Sequence, residues 1–158
     1  MSSLRLDATN VQHLRLKGGG RFQRERGYAL SQVRLPGHQS VGVVSMHLSL
    51  DADEREAHAA AILEALPGHG PLVVAGDLNE GPDGQAWMAL AGRLRVVTGD
   101  APTFPASSPR HRPDVIFASP DLSVVPSGPV TLDPGDLVAA TDHLPVWVDL
   151  DLSSMALR

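Results

Sequence analysis

Six side chains could combine to do chemistry: His47, Asp77, Asn79, Asp114, Asp142 and His143. Each stands at or beside the end of a short apolar run. His47 follows Val43-Val44-Ser45-Met46, Asp77 and Asn79 follow Leu72-Val-Val-Ala75, Asp114 opens Val115-Ile-Phe117, and Asp142-His143 precedes Leu144. Strand ends that converge on a rigid scaffold are where reactive groups can be presented together. Carboxylate oxygens and an amide suit a hard cation such as Mg²⁺, which keeps several waters and uses few carboxylates. Two histidines suit proton handling near neutral pH and hydrogen bonds to a phosphate. Taken singly, each residue has an ordinary structural reading: a core histidine, an Asx turn at Asp77 and Asn79, a local Asp114–Arg112 pair, a loop end at Asp142. The set of them, at four strand ends, favours the chemical reading. Other chemistries lack their signatures. There is no His-Glu-x-x-His, no Gly-x-Ser-x-Gly and no cysteine, so a zincin, an α/β-hydrolase nucleophile and thiolate catalysis are not indicated.

The elements that must position these residues are legible from residue 28 onward. Tyr28 to Leu35 and Val41 to Leu48 read as two strands joined by a Pro36-Gly37 turn, a hairpin. Residues 51–66 read as a helix. Asp51 and Asp53 are cap candidates with Glu54 and Glu56 in capping-box spacing. Ala59, Ile62, Leu63 and Leu66 fall on one stripe, which must face the sheet. Pro67-Gly68 and Gly70-Pro71 stop the helix. A short strand at 72–76, an acceptor-rich loop at 76–84, a short helix at 85–94, a proline-bearing loop at 98–113 and a strand at 114–118 follow. Residues 122–125 and 130–132 are weak strand candidates, and 144–150 is expected to close the sheet as its last strand. Residues 1–26 read poorly. The triplet Gly18-Gly19-Gly20 among Arg15, Lys17, Arg21, Arg24 and Arg26 lacks the spacing of a phosphate loop and reads as a flexible segment.

Composition bounds the rest. With 158 residues the chain is one domain rather than two. A hydrophobic fraction of 42% with only 4% aromatics calls for a core of Leu, Val and Ala. The formal charge of −5 gives a dedicated nucleic-acid binder little support, though net charge does not describe one face. Arg supplies 12 of the 13 basic residues, a bias that base composition can explain. No apolar run approaches a membrane span, and the N-terminus lacks a secretory signal. The default location is cytoplasmic; a segment missing ahead of Met1 would leave it unknown.

Four segments taken together resemble a known family. Val44-Ser-Met-His-Leu48, Val74-Ala-Gly-Asp-Leu-Asn79, Arg112-Pro-Asp-Val-Ile-Phe117 and Thr141-Asp-His-Leu-Pro-Val146 look like consecutive motifs of the endonuclease/exonuclease/phosphatase superfamily. The resemblance covers roughly residues 27–150. It implies an α/β fold, a partial deoxyribonuclease-like α/β/β/α sandwich with a mostly antiparallel mixed sheet and a flanking helix. Residues 27–158 would form that domain and 1–26 a poorly defined N-terminal segment. The implied activity is divalent-metal-dependent hydrolysis of a phosphate ester, with Mg²⁺ or Mn²⁺ as cofactor, on a nucleic acid, a lipid or a sugar phosphate. His47 would hydrogen-bond the scissile phosphate, Asp77 would orient or deprotonate the attacking water, and Asn79 would hold that water or a phosphate oxygen. Asp142 would bind the metal with help from Asp77 and Asn79. His143 would contact the phosphate with its ring oriented by Asp114; Arg112 and Arg110 are weaker candidates for substrate contact, beside the reading of both as part of a solvated loop. The family's first half carries an Asn and a metal-binding Glu that find no match in residues 1–26; Glu25 stands in the wrong context. The chain therefore reads as the C-terminal half of the fold. That leaves a second reading, a non-catalytic remnant or interaction module. It also implies an apolar face for a homodimer or for a complementing N-terminal half.

Overall fold

The computed structural model describes residues 6–16, 26–34, 37, 39–127, 132–151 and 153–155. The glycine triplet, Lys17 and Glu25 lie outside the described residues, as do Leu35 and Pro36.

A six-stranded sheet in the order β1-β2-β3-β4-β6-β5 carries the molecule. Its strands are β1 (Leu6–Leu16), β2 (Arg26–Val33), β3 (Val41–His47), β4 (Leu72–Asp77), β5 (Arg95–Val96) and β6 (Asp114–Ala118). Every pairing is antiparallel except that of β3 with β4. That parallel pair needs a crossover, and helix α1 (Ala52–Ala65) supplies it. Asp51 caps α1 by accepting a hydrogen bond from the Glu54 amide at 3.1 Å.

Alternation along the strands sorts the two faces of the sheet. Val44 and Met46, Leu72 and Val74, Val115 and Phe117 bury against α1 and α2 (Gln85–Ala91). Ala59, Ile62 and Leu66 of the expected stripe meet them, and the Trp87 and Phe117 rings sit edge-on at 5.7 Å. The intervening Val41, Val43 and Val73 face the other side, with Leu122, Leu150 and Met155. The result is a mixed α/β fold with a mostly antiparallel sheet and flanking helices, as the motifs implied.

The structure departs from the sequence reading at several elements. Residues 6–16, where no element was read, form β1 and pair with β2, and the two residues of β5 add a short edge. Residues 144–150 do not join the main sheet. Only Asp149–Asp151 (β8) is a strand, and it pairs with β7 (Ser123–Val125) in a separate two-stranded sheet. The reason is local: the Leu144 amide is taken by the Thr103 carbonyl at 2.8 Å, Pro145 has no amide to give a ladder, and Trp147 stays 44% exposed. Leu132 belongs to no strand, and Pro134–Ala140 form a third helix, α3. Its signal was present in the text: Asp133 caps it, accepting from the Gly135 and Asp136 amides, and proline stands in its first turn.

A candidate phosphoester site at the ends of three strands

Register brings the site together. His47 pairs with Asp77 across β3 and β4, and Asp77 pairs with Asp114 across β4 and β6. Three chemically capable residues thus stand in one row across adjacent strands. Backbone bonds carry the ladder one step past the row, from the Leu48 amide to the Asp77 carbonyl and from the Leu78 amide to the Pro113 carbonyl, both 2.9 Å. The row is therefore held from both sides of Asp77.

His143 arrives from the loop before Pro145. Its segment is fixed by the Ala106 amide on the Asp142 carbonyl at 2.7 Å, and its ring packs 4.7 Å from that of Phe104. His143 Nδ1 lies 2.8 Å from Asp114 Oδ2, the pairing expected from the sequence, and the Thr103 hydroxyl donates to the same oxygen. His143 Nε2 is 3.9 Å from Asp77 Oδ2, and His47 Nε2 is 3.4 Å from that oxygen. Asp77 thus stands between two imidazoles. Asn79 follows in a left-handed conformation, φ 54°, which asparagine tolerates because its side chain bonds locally. Its amide donates to Asp77 Oδ1 at 2.7 Å and its Nδ2 donates to the Leu48 carbonyl at 2.9 Å. Asn79 Oδ1 is left as an acceptor beside the row.

The two histidines are driven apart in acidity. Partial burial opposes charge on His143, but the hydrogen bond to Asp114 and the charges of Asp114, Asp77 and Asp142 outweigh it, so its pKa is raised. Burial lowers the pKa of His47; Asp77 works against that, while Arg26 and His143 reinforce it. His143 is thereby biased toward the imidazolium and His47 toward the neutral ring. In metal-free protein, an NMR titration should show His143 losing its proton above the ordinary histidine value and His47 below it. Any anion affinity that depends on His143 is then full on the acid side and lost as pH rises through its raised pKa. In Asp114→Asn the His143 midpoint should fall, because burial then acts against a smaller opposing charge. An unchanged midpoint would show that Asp114 does not govern the ring.

The described residues offer one group of metal-capable atoms, Asp77, Asp114 and His143, with ligand atoms all within 4.8 Å of one another. Two carboxylates, an imidazole nitrogen and the adjacent amide oxygen of Asn79 fit a divalent cation in donor type. Asp142, expected as the metal carboxylate, stands outside this group; its side chain is exposed and it lines a separate small cavity with Pro105, Ala106 and Thr141. Arg112, expected to meet substrate, is committed elsewhere. Its guanidinium pairs with Asp100 at 2.8 Å, donates to Thr98 and lies 5.0 Å over the Trp87 ring. Arg110 lines the cleft next to the site.

Sequence reasoning missed Arg26. Its Nη1 donates to His47 Nε2 at 3.0 Å, which puts a cation at the open end of the row. Nothing in the spacing of Arg26 and His47 reveals this, because it depends on the pairing of Gly27 with His47. It also missed the brace behind the site. Glu80 accepts from Arg55 Nε at 2.9 Å and from the Trp87 amide at 2.8 Å, while Arg55 Nη1 donates to the Leu50 carbonyl at 2.7 Å. The loops after β3 and β4 are tied together there. A lone acidic residue after Asn79 was the available signal.

No family model matches this sequence, and no curated protein does. Solved structures do. An endonuclease/exonuclease/phosphatase from Bacteroides vulgatus superposes with a TM-score of 0.75 at 19% identity, covering 94% of this chain and 67% of that one. One from Beutenbergia cavernae gives 0.75 at 25% identity, covering 94% of this chain and 46% of the other. A mannosyl-6-phosphatase from Bacteroides thetaiotaomicron gives 0.69 at 17% identity, covering 92% and 67%. The chain therefore has the endonuclease/exonuclease/phosphatase fold, as its motifs implied. It spans about two thirds of the first and third of these structures and under half of the second.

Proposed function

We propose that the chain is a phosphoric ester hydrolase that uses a divalent cation, Mg²⁺ or Mn²⁺, and breaks a phosphodiester or phosphomonoester by in-line attack of water. The observation that carries this reading is the row His47–Asp77–Asp114 with His143 held on Asp114. Asp77 would orient the attacking water and take its proton. His47, with Arg26 beside it, and the His143 imidazolium would hold phosphate oxygens. Asn79 Oδ1 would accept from the water or complete the cation's shell. A divalent cation held by the carboxylates of Asp77 and Asp114, with Asn79 Oδ1 and Asp142 as further candidates, would neutralise charge on the phosphate oxygens. The working unit would comprise residues 27–158 together with Arg26 and the β1 strand that pairs with β2.

The test is hydrolysis of bis(p-nitrophenyl) phosphate and of p-nitrophenyl phosphate with Mg²⁺ or Mn²⁺. Turnover is expected to disappear in excess chelator and to return on adding the metal back. Turnover indifferent to chelator would remove the metal from the reading, and its absence with every metal would remove the enzyme.

A second reading has its own observation. Trp147, Val138 and Leu132 are 40–48% exposed, and Val124 and Val125 stand 36–41% exposed on the small sheet. Exposed apolar side chains of that kind suit a second copy or a complementing N-terminal half. In this reading the chain is an interaction module of the same fold, inactive until that surface is covered. A chain that hydrolyses both esters as a monomer in analytical ultracentrifugation would refute it. Among the described residues no helix is long and apolar enough to cross a membrane.

A further inference from the structure

We infer that Arg55 and Glu80 are positioning residues of the candidate site: one guanidinium fixes both segments to which the Asn79 side chain is tied, and so aims Asn79 Oδ1 at the row. The inference rests on the phosphoesterase reading and says how its site is held in geometry. Asn79 makes two bonds of its own. Its backbone amide donates to Asp77 Oδ1 at 2.7 Å, and its Nδ2 donates to the Leu48 carbonyl at 2.9 Å. The first bond lies in the turn after β4 and the second reaches the residue just past β3. The direction of Oδ1 therefore depends on where these two segments stand relative to each other.

Arg55 sets that relation from α1. Its Nε donates to Glu80 Oε2 at 2.9 Å, on the residue next to Asn79. Its Nη1 donates to the Leu50 carbonyl at 2.7 Å and to the Ser49 carbonyl at 3.3 Å, on the residues next to Leu48. The two side chains are only 14% and 10% exposed, so water competes little for them. The Ser49 hydroxyl donates to Glu54 Oε2 at 2.8 Å, which fastens the same loop to the first turn of α1. Glu80 is fastened in turn to α2, where its Oε1 accepts from the Trp87 amide at 2.8 Å. That amide is one of the free donors of the helix's first turn, and the capping residue Gly84 has no side chain to take it. A Cβ at Gly84 would stand 2.2–2.5 Å from the Glu80 carboxyl atoms, so glycine there admits the carboxylate. Lysine at position 55 would keep the charge and lose the planar fork whose separate nitrogens serve the two loops.

The experiment compares wild type, Arg55→Lys, Asn79→Ala and the double variant, each as the whole chain. Hydrogen exchange of the Asn79 side-chain amide, followed by NMR, needs no activity. It is expected to be about tenfold faster in Arg55→Lys than in wild type, with the backbone amides of β4 unchanged. In hydrolysis of bis(p-nitrophenyl) phosphate with Mg²⁺, Arg55→Lys is expected to lower kcat about tenfold or more and to leave KM within about twofold. Added to Asn79→Ala, the same change should cost no more than about twofold, because the residue it acts through is gone. Wild-type exchange at Asn79 in the lysine variant, or equal loosening of β4, overturns the inference. So does a full further loss of rate in the Asn79→Ala background, which a general weakening of the fold would give. A wild-type chain that hydrolyses nothing with any metal removes the phosphoesterase reading, and the exchange comparison then decides the positioning by itself. Glu80→Gln, which keeps an oxygen for the Trp87 amide and gives up the charge facing Arg55, is the second variant and is expected to show the same changes in exchange and kcat.

Discussion

Asp77→Ala should lower metal-dependent hydrolysis of a generic phosphodiester by about a thousandfold or more, with the fold intact. Among the described residues Asp77 is the one carboxylate within 4 Å of both histidines, at 3.4 Å from His47 and 3.9 Å from His143. Its other oxygen accepts from the Asn79 amide at 2.7 Å, so removal also releases the turn that sets Asn79. A positioned general base contributes on the order of 10²–10⁴ in rate, and here orientation of Asn79 and a share of the metal site go with it. The side chain is 16% exposed and holds no strand pairing, so circular dichroism and the melting midpoint should change little. The measurement is kcat/KM for bis(p-nitrophenyl) phosphate in Mg²⁺ beside wild type. Asp77→Asn, which keeps the turn and removes the charge, should also lose most of the rate. A variant within tenfold of wild type would place the chemistry elsewhere.

Gly76→Ala should be the most damaging small substitution outside the charged residues. A Cβ at Gly76 would stand 1.9 Å from the Met46 carbonyl oxygen and 2.8 Å from its carbon, with φ at +155°. Both obstacles are backbone of the neighbouring strand, which no side-chain rotation relieves. Met46 and Gly76 are register partners in the single parallel pairing of the main sheet, one step before His47 and Asp77. The strands must part there, and strain of this kind costs upward of about 3 kcal/mol. Urea unfolding should show it, as a large drop in midpoint or as failure to obtain soluble protein. Gly81→Ala is the control: nothing lies within 4 Å of its Cβ position, and its stability should move by less than about 1 kcal/mol. If the two variants behave alike, the close approach of β3 and β4 is not what glycine serves.

These two residues are adjacent in the sequence, yet they were legible to different degrees. Asp77 was readable because Val74-Ala-Gly-Asp-Leu-Asn79 follows a short apolar run and stands in order with three other motifs. Gly76 was not, because its role is a contact with Met46, thirty positions earlier. Arg112 shows the opposite failure. Its place beside Asp114 made it a substrate candidate, but Trp87 and Asp100 take its charge and planar face. Neither partner is implied by anything near residue 112.

What the sequence determined by itself was local. The apolar stripe Ala59, Ile62 and Leu66 dictated a helix with one buried face, and alternation in β3, β4 and β6 dictated strands whose polar ends stand at one edge. The order of those polar ends, with their residue types, carried the family resemblance and the pairing of His143 with Asp114. Side-chain periodicity and cap chemistry act within a few residues, so they can be read from a single chain. The tertiary structure decided the rest. It set the register that aligns His47, Asp77 and Asp114, the arrival of Arg26 at His47, and the brace of Arg55 on Glu80. It also diverted residues 144–148 from the sheet and held Asp142 outside the cluster of metal-capable atoms. Register and packing are set by which strand finds which partner across long separations. That is a property of the whole fold's hydrogen-bond ladders and buried faces, and no single segment contains it.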